Sequence, residues 1–152
     1  MLFYTHLMIG IVAFILTKNF FSGGNEIIFF LLVLLASVFP DIDDGKSKIK
    51  KASGIIGSII SFTFKHRGIF HSVFMALGFF LITAIFWNSY YAFAILIGYL
   101  SHLFGDMITP MGIKIFYPLS DFKIRGWIRV GGIGEWVVLF GMVILIAKEL
   151  LF

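Results

Sequence analysis

The sequence predicts an all-α, polytopic membrane helical bundle with about five transmembrane helices and one short re-entrant or interfacial segment over 54–64. Three observations carry that prediction. The 152 residues are 60% apolar and only 13% charged, with a mean hydropathy of +1.03, whereas soluble domains carry about 25% charged residues. The apolar residues fall in runs of near-spanning length, and the cations gather between alternate runs. Five spans of about 20 residues occupy about 100 positions, which implies a single integral-membrane domain over 1–152 without an appended soluble module. Cysteine is absent, so disulfides, thiolate metal sites and a cysteine nucleophile are excluded.

The first run, 2–17, is apolar apart from Thr5 and His6. It does not read as a secretory signal, because a signal carries its positive charge ahead of the apolar stretch and the first lysine here, Lys18, follows it. The second run, 26–39, is closed by Pro40 and is short, so its ends need shielding by protein. The third covers 69–87, the fourth 90–108 and the fifth 133–151. Trp87, Tyr90, Tyr91 and Trp136 flank these runs as an aromatic belt does. The segment 54–64 has 11 residues, too few to cross about 30 Å of hydrocarbon as a helix. The stretch 111–129 interleaves Phe116, Tyr117, Phe122 and Trp127 with Lys114, Lys123, Arg125 and Arg129. That composition suits either an interfacial segment against anionic lipid or a cytoplasmic loop.

Charges set the orientation. Lys46, Lys48, Lys50, Lys51, Lys65, Arg67, Lys114, Lys123, Arg125 and Arg129 fall on the side that carries the N-terminus, and only Lys18 and Lys148 on the other. By the positive-inside rule the N-terminus is cytoplasmic and the C-terminus external. The net charge of +4 therefore reports topology. No basic helix in a soluble part of the chain offers a nucleic-acid surface, and membrane lipids are the partners that the basic loops favour. The oligomeric state is not legible.

A charged side chain at the bilayer centre costs about 2.5–3.5 kcal/mol on insertion scales, which makes ionisable residues in or beside spans functional candidates. All four histidines and most of the eight acids lie toward the cytoplasmic side. His6 stands near the start of the first run, while Asp41, Asp43 and Asp44 follow Pro40 at the end of the second. His66 and His71 bracket the start of the third run, His102 and Asp106 end the fourth, and Glu135 opens the fifth. His102 and Asp106, four apart, share a helix face about 6 Å apart along the axis. Alternation in an extended Pro40–Gly45 segment points Asp41 and Asp43 the same way, and two carboxylates on one side attract a divalent ion. Arg67 is a phosphate clamp by its planar fork. Plainer readings exist for several of these residues. Asp44-Gly45 is a turn pair, His6 could be a packing partner between helices, and Glu135 could be a first-turn acid facing the helix dipole.

The ordered set of an early His6, Pro40-Asp41-Ile42-Asp43-Asp44, His66-Arg67-Gly68-x-x-His71-Ser72, Gly98-Tyr99-Leu100-Ser101-His102-Leu103-x-x-Asp106-x-x-Thr109-Pro110-x-Gly112, Tyr117-Pro118-Leu119 and a late Gly132-x-x-Glu135 resembles the YdjM-like family. That resemblance covers most of the chain. It implies a LexA-regulated, inner-membrane, metal-dependent hydrolase, with the family pattern falling on His6, Asp41, Asp43, His66, Arg67, His71, His102, Asp106, Thr109, Pro110 and Glu135. One departure is Val130-Gly131, where a Thr-Gly pair precedes the late Glu in relatives.

Together these features predict hydrolysis of a phosphoester in a lipid or lipid-linked substrate at the cytoplasmic membrane face. Nitrogen and carboxylate ligands without thiolate suit one or two divalent ions, zinc first, with manganese, iron or magnesium as alternatives. In this scheme His6, Asp41, Asp43, His71, His102 and Asp106 are the metal residues. Asp43 bridges ions or acts as base, Arg67 and His66 hold the phosphate or protonate the leaving oxygen, and Glu135 is an orienting group or further ligand. The alternative is a non-hydrolytic metal-binding membrane protein or transporter using the same cluster, although the outer halves of the spans lack the polar residues that an ion path needs.

Overall fold

Seven α-helices make up the described part of the chain: α1 Phe3–Thr17, α2 Glu26–Val38, α3 Lys48–Ala52, α4 Gly54–Thr63, α5 Val73–Phe86, α6 Ser89–Met107 and α7 Ile133–Leu151. They are seen in a computed structural model that describes residues 1–45, 47–63 and 67–151, without the side chains of 60, 61, 63 and 150. His66, a predicted phosphate-handling residue, lies outside the described residues, as do Lys46 and Lys65 of the basic loops. Short 3₁₀ turns at Lys18–Phe20, Phe39–Asp43 and Ile69–His71 complete the helical elements.

The helix starts are written in the sequence. Asn25 Oδ1 accepts from the N–H groups of Ile27 and Ile28 to open α2. Ser72 Oγ accepts from Met75 N to open α5, and Asn88 Oδ1 from Tyr90 N to open α6. Each cap satisfies N–H groups that a helix leaves orphaned. At the other end of α2, Pro40 has no N–H to continue the ladder, and the chain tightens into the 3₁₀ turn Phe39–Asp43. The extended geometry expected for 40–45 therefore does not form there.

α6 is the axis of the bundle, packed against α1, α2 and α5; α7 packs against α1, and α3 and α4 pack on each other and on the 39–43 turn. The close crossings need glycine. A Cβ on Gly98 of α6 would stand 2.3 Å from the Val33 carbonyl oxygen of α2, and one on Gly105 would stand 3.1 Å from the His6 ring of α1. Aromatic and aliphatic side chains fill the far end of the bundle, where Phe29, Val33, Tyr90, Tyr91 and Ala94 cluster.

Outward-facing positions are strongly apolar. Ile27, Leu31 and Leu35 form an exposed stripe on α2, Leu77, Leu81 and Ile85 one on α5, and Val137, Phe140 and Ile144 one on α7. In water such faces would be association surfaces. Among the described residues, Phe3–Phe20 is the one helix long and apolar enough to cross a membrane, with Val73–Phe86 a shorter apolar helix. The 13 residues of α2 and 14 of α5 extend about 20 Å, short of the hydrocarbon thickness. The 19 residues of α6 and α7 are long enough, and their apolar content is lowered by His102, Asp106, Glu135, Lys148 and Glu149. Residues 54–63 of the predicted re-entrant or interfacial segment form α4.

Candidate metal centre

Three elements converge at one end of the bundle. Asp41 comes from the 3₁₀ turn after α2, His71 from the turn before α5, and His102 and Asp106 from successive turns of α6. One donor atom from each lies within 4.8 Å of the others, forming a group that could hold a metal ion. His71 Nε2 is 3.3 Å from His102 Nε2, 3.6 Å from Asp41 Oδ1 and 3.6 Å from Asp106 Oδ2. His102 Nε2 is 3.7 Å from Asp41 Oδ1. A tetrahedron of ligands bonded at about 2.0–2.1 Å has edges of about 3.3–3.4 Å, so these separations fit donors around a single ion.

The hydrogen bonds behind the histidines supply an independent test. His102 Nδ1 lies 2.9 Å from the Ser37 carbonyl oxygen, an atom that can only accept. Nδ1 is therefore the protonated nitrogen, and Nε2 turns its lone pair inward. His71 Nδ1 faces the Asp43 carboxylate at 3.2 Å, and with its proton on that side Nε2 would be left to an ion in the same way. Metal-ligating imidazoles characteristically donate their second N–H to a carbonyl or carboxylate, and two inward lone pairs beside two carboxylates call for a cation at their centre. The residues present thus fit a divalent ion. Burial alone would raise the Asp41 carboxyl, but His71, His102 and His6 beside it hold it well below the usual carboxylate range.

The remaining candidates occupy distinct places. Asp43 is buried and turned toward His71 Nδ1, and it also accepts from the Arg67 backbone N–H at 3.2 Å. Arg67 adopts a left-handed φ of 61°, a conformation costly for a side-chain-bearing residue and held here by its surroundings. Its guanidinium donates to the Gly112 carbonyl at 2.9 Å and the Thr109 hydroxyl at 3.3 Å, and it faces Asp106 Oδ2 at 2.9 Å. His6 stacks on His102 with ring centroids 3.9 Å apart. Among the described residues neither His6 ring nitrogen makes a well-aligned hydrogen bond, though Nε2 stands 3.4 Å from Asp106 Oδ1. The Met1 amino group lies 2.7 Å from the same oxygen. Glu135 is buried away from the four donors' centre, accepting from Leu2 N at 2.7 Å and Gly131 N at 2.6 Å. It pins the start of α7 to the start of α1.

Asp41 is the donor with an opening, its side chain 18% exposed on a cleft lined by Phe3, Tyr4, Asp44, Ser47 and Lys48. Residues that motif reasoning did not single out complete the frame. Tyr99 donates its hydroxyl to the Phe70 carbonyl at 2.7 Å, fixing the residue before His71. The Ser37 carbonyl is freed because α2 ends at Val38. The stop at Pro40 was the signal for that, although no sequence pattern says which ring the freed carbonyl meets.

The sequence profile of the YdjM inner membrane protein family matches residues 1–150. The protein YvsG of Bacillus subtilis is 29% identical over 141 residues, 91% of this chain and 87% of its own length. The inner membrane protein YdjM of Escherichia coli and that of Shigella flexneri are each 29% identical over 127 residues, 74% of this chain. This chain spans 63% of the length of those two relatives. No solved structure matches.

Proposed function

Because the chain belongs to the YdjM inner membrane protein family, we propose that it is a membrane-embedded, metal-dependent hydrolase that cleaves a phosphoester of a lipid or lipid-linked substrate at the cytoplasmic face. The observation that carries the reading is the convergence of Asp41, His71, His102 and Asp106 donors within 4.8 Å of one another beside the partly buried Arg67. In this reading α1, α2, α5, α6 and α7 are the five spans, the short α2 and α5 each lengthened by the adjoining 3₁₀ turn at Phe39–Asp43 or Ile69–His71, with the N-terminus cytoplasmic and the C-terminus external. Their exposed apolar faces and the asymmetry of Lys and Arg support that arrangement.

A bound divalent ion supplies Lewis acidity toward a phosphoryl oxygen and lowers the pKa of water to about 7. The chain's own residues do the rest. Nitrogen and carboxylate donors suit zinc, with manganese, iron or magnesium as alternatives. Asp43 and the Ser37 carbonyl hold the two imidazoles in one tautomer each, so the donor set is formed before the ion arrives. Arg67, its Nη1 fastened by Gly112 and Thr109, offers its positive charge to phosphoryl oxygens next to Asp106. Asp41 borders the cleft through which substrate reaches the centre. His66, outside the described residues, is proposed with Arg67 to hold the phosphate or protonate the leaving oxygen. Among the described residues His6 and Asp106 Oδ1 give two donors toward a second ion, fewer than a stable site needs, so one ion is the better-supported count.

One observation favours a second reading. Four protein donors fill a tetrahedral ion, as in structural zinc sites, whereas catalytic sites keep a position open; a metal-stabilised, non-hydrolytic membrane protein would use the same residues. The test is to purify the protein in detergent, measure bound metal, and assay release of phosphate or water-soluble headgroup from mixed phospholipids, with His102→Ala and Asp106→Ala alongside. Turnover lost together with metal in both variants supports the hydrolase. Stoichiometric metal without turnover supports the second reading, and unchanged metal and turnover in both variants would remove the site from consideration.

A further inference from the structure

Beside the metal centre lies a hollow of about 400 Å³ that the ligand set does not use, lined by residues including Arg67, Gly112, Lys114, Tyr117 and Lys123. Its walls follow from how the chain leaves α6. The Ile108 and Thr109 carbonyls accept from Ile128 N and Gly126 N at 3.0 Å, drawing the returning strand alongside. Ile113 and Ile124 then exchange both backbone hydrogen bonds, 3.0 Å each, in an isolated antiparallel bridge. Gly112 has a φ of +58°, and a Cβ there would stand 2.0 Å from the Ile124 carbonyl oxygen, so the turn requires glycine.

Ile113 is fully buried against Ala76, Tyr99 and Leu103. Alternation sends the adjoining Lys114 and Lys123 to the opposite face, across from each other. Two ammonium groups across an antiparallel pair repel. Asp121, 83% exposed at the rim, pairs with Lys114. The third cation, Arg67, has a side chain only 10% exposed. Its terminal nitrogens are fastened to Gly112, Thr109 and Asp106, while its Nε is buried with no hydrogen-bond partner among the described residues. Two lysines and a fixed guanidinium lining a hollow of this size match a tetrahedral oxyanion.

We propose that this hollow is a binding subsite for a phosphate group, with Lys114 and Lys123 determining specificity and Arg67 linking the subsite to the metal centre. The proposal rests on the phosphoester reading, because the phosphate held there is the substrate's. A phospholipid headgroup and free phosphate share this chemistry, and the two sources are separable.

The full chain, purified in neutral detergent and stripped of metal with EDTA, is titrated calorimetrically at an ionic strength of about 0.15 M. The probes are inorganic phosphate, dihexanoyl phosphatidate and the uncharged dihexanoyl glycerol. The expected result is phosphatidate binding that weakens about tenfold or more in Lys114→Gln and in Lys123→Gln, is unchanged in Lys148→Gln on α7, and is absent with dihexanoyl glycerol. The same lysine dependence with inorganic phosphate alone would assign the subsite to free phosphate. Binding of neither phosphate compound, equal binding of phosphatidate and dihexanoyl glycerol, or indifference to both lysines would overturn the proposal. Hydrolysis is not read here, so phosphatidate binding by a protein that never turns over would refute the hydrolase and leave the subsite standing.

Discussion

Replacing Asp43 separates an orienting group from a metal ligand. Asp43 Oδ2 faces His71 Nδ1 at 3.2 Å and accepts the Arg67 backbone N–H at 3.2 Å, so one oxygen anchors both a ligand imidazole and the left-handed Arg67. Removing the carboxylate behind a metal-bound histidine lowers affinity about 10- to 100-fold, or about 1.4–2.7 kcal/mol. Asp43→Asn keeps one neutral acceptor oxygen that both N–H groups can share and should fall at the low end. Asp43→Ala leaves two buried donors unpaired and should reach the high end, with a further loss of about 1–3 kcal/mol in fold stability. Metal affinity is read by competition against a chromophoric chelator in detergent, and stability by thermal unfolding of the metal-free protein. Wild-type affinity in Asp43→Ala would refute the orienting role. A loss of binding stoichiometry in Asp43→Asn, rather than of affinity alone, would show that Asp43 ligates the ion directly.

Other consequences follow from the same geometry. Gly98→Ala places a methyl 2.3 Å from the Val33 carbonyl oxygen, so α2 and α6 must separate; overpacking of this kind costs about 1–3 kcal/mol, measurable as a lowered unfolding temperature. Glu135→Ala should destabilise the protein by a similar amount, because Leu2 N and Gly131 N lose their acceptor, while metal affinity stays within about twofold of wild type; a complete loss of metal would instead make Glu135 a ligand. Asp41 is held below the usual carboxylate range, so its contribution to stability is present above its unfolded value of about 4 and is lost as pH falls toward the folded value. In EDTA, Asp41→Asn should therefore be less stable than wild type at neutral pH, with the gap closing as pH drops below about 4.

Much of the centre was legible because side-chain chemistry repeats with helical period. His102 and Asp106 were expected on one face of a helix, and α6 carries both into the cluster. The segment after Pro40 was harder to read. An extended chain would aim Asp41 and Asp43 together, whereas a 3₁₀ turn advances about 120° per residue and sends them apart, Asp41 to the cluster and Asp43 behind His71. That divergence depends on a local choice between turn and strand that Pro permits either way. The carbonyls of Ser37 and Gly112 were beyond reach for a different reason, since every residue has one and only tertiary packing selects which of them meets a functional side chain. Apolar runs foretold helices, but not where polar turns would cut them, and the Arg67–His71 turn shortens the third run to Val73–Phe86.

The central claim is that Asp41, His71, His102 and Asp106 hold one divalent ion. X-ray absorption at the metal edge of the purified, metal-loaded protein tests it most directly, combined with the metal content per chain. The expected spectrum has nitrogen and oxygen neighbours at about 2.0–2.2 Å, outer-shell scattering from two imidazoles, and one equivalent of metal that Asp106→Ala abolishes. A protein that binds no divalent ion, or one whose ion shows no imidazole scattering, would contradict the account.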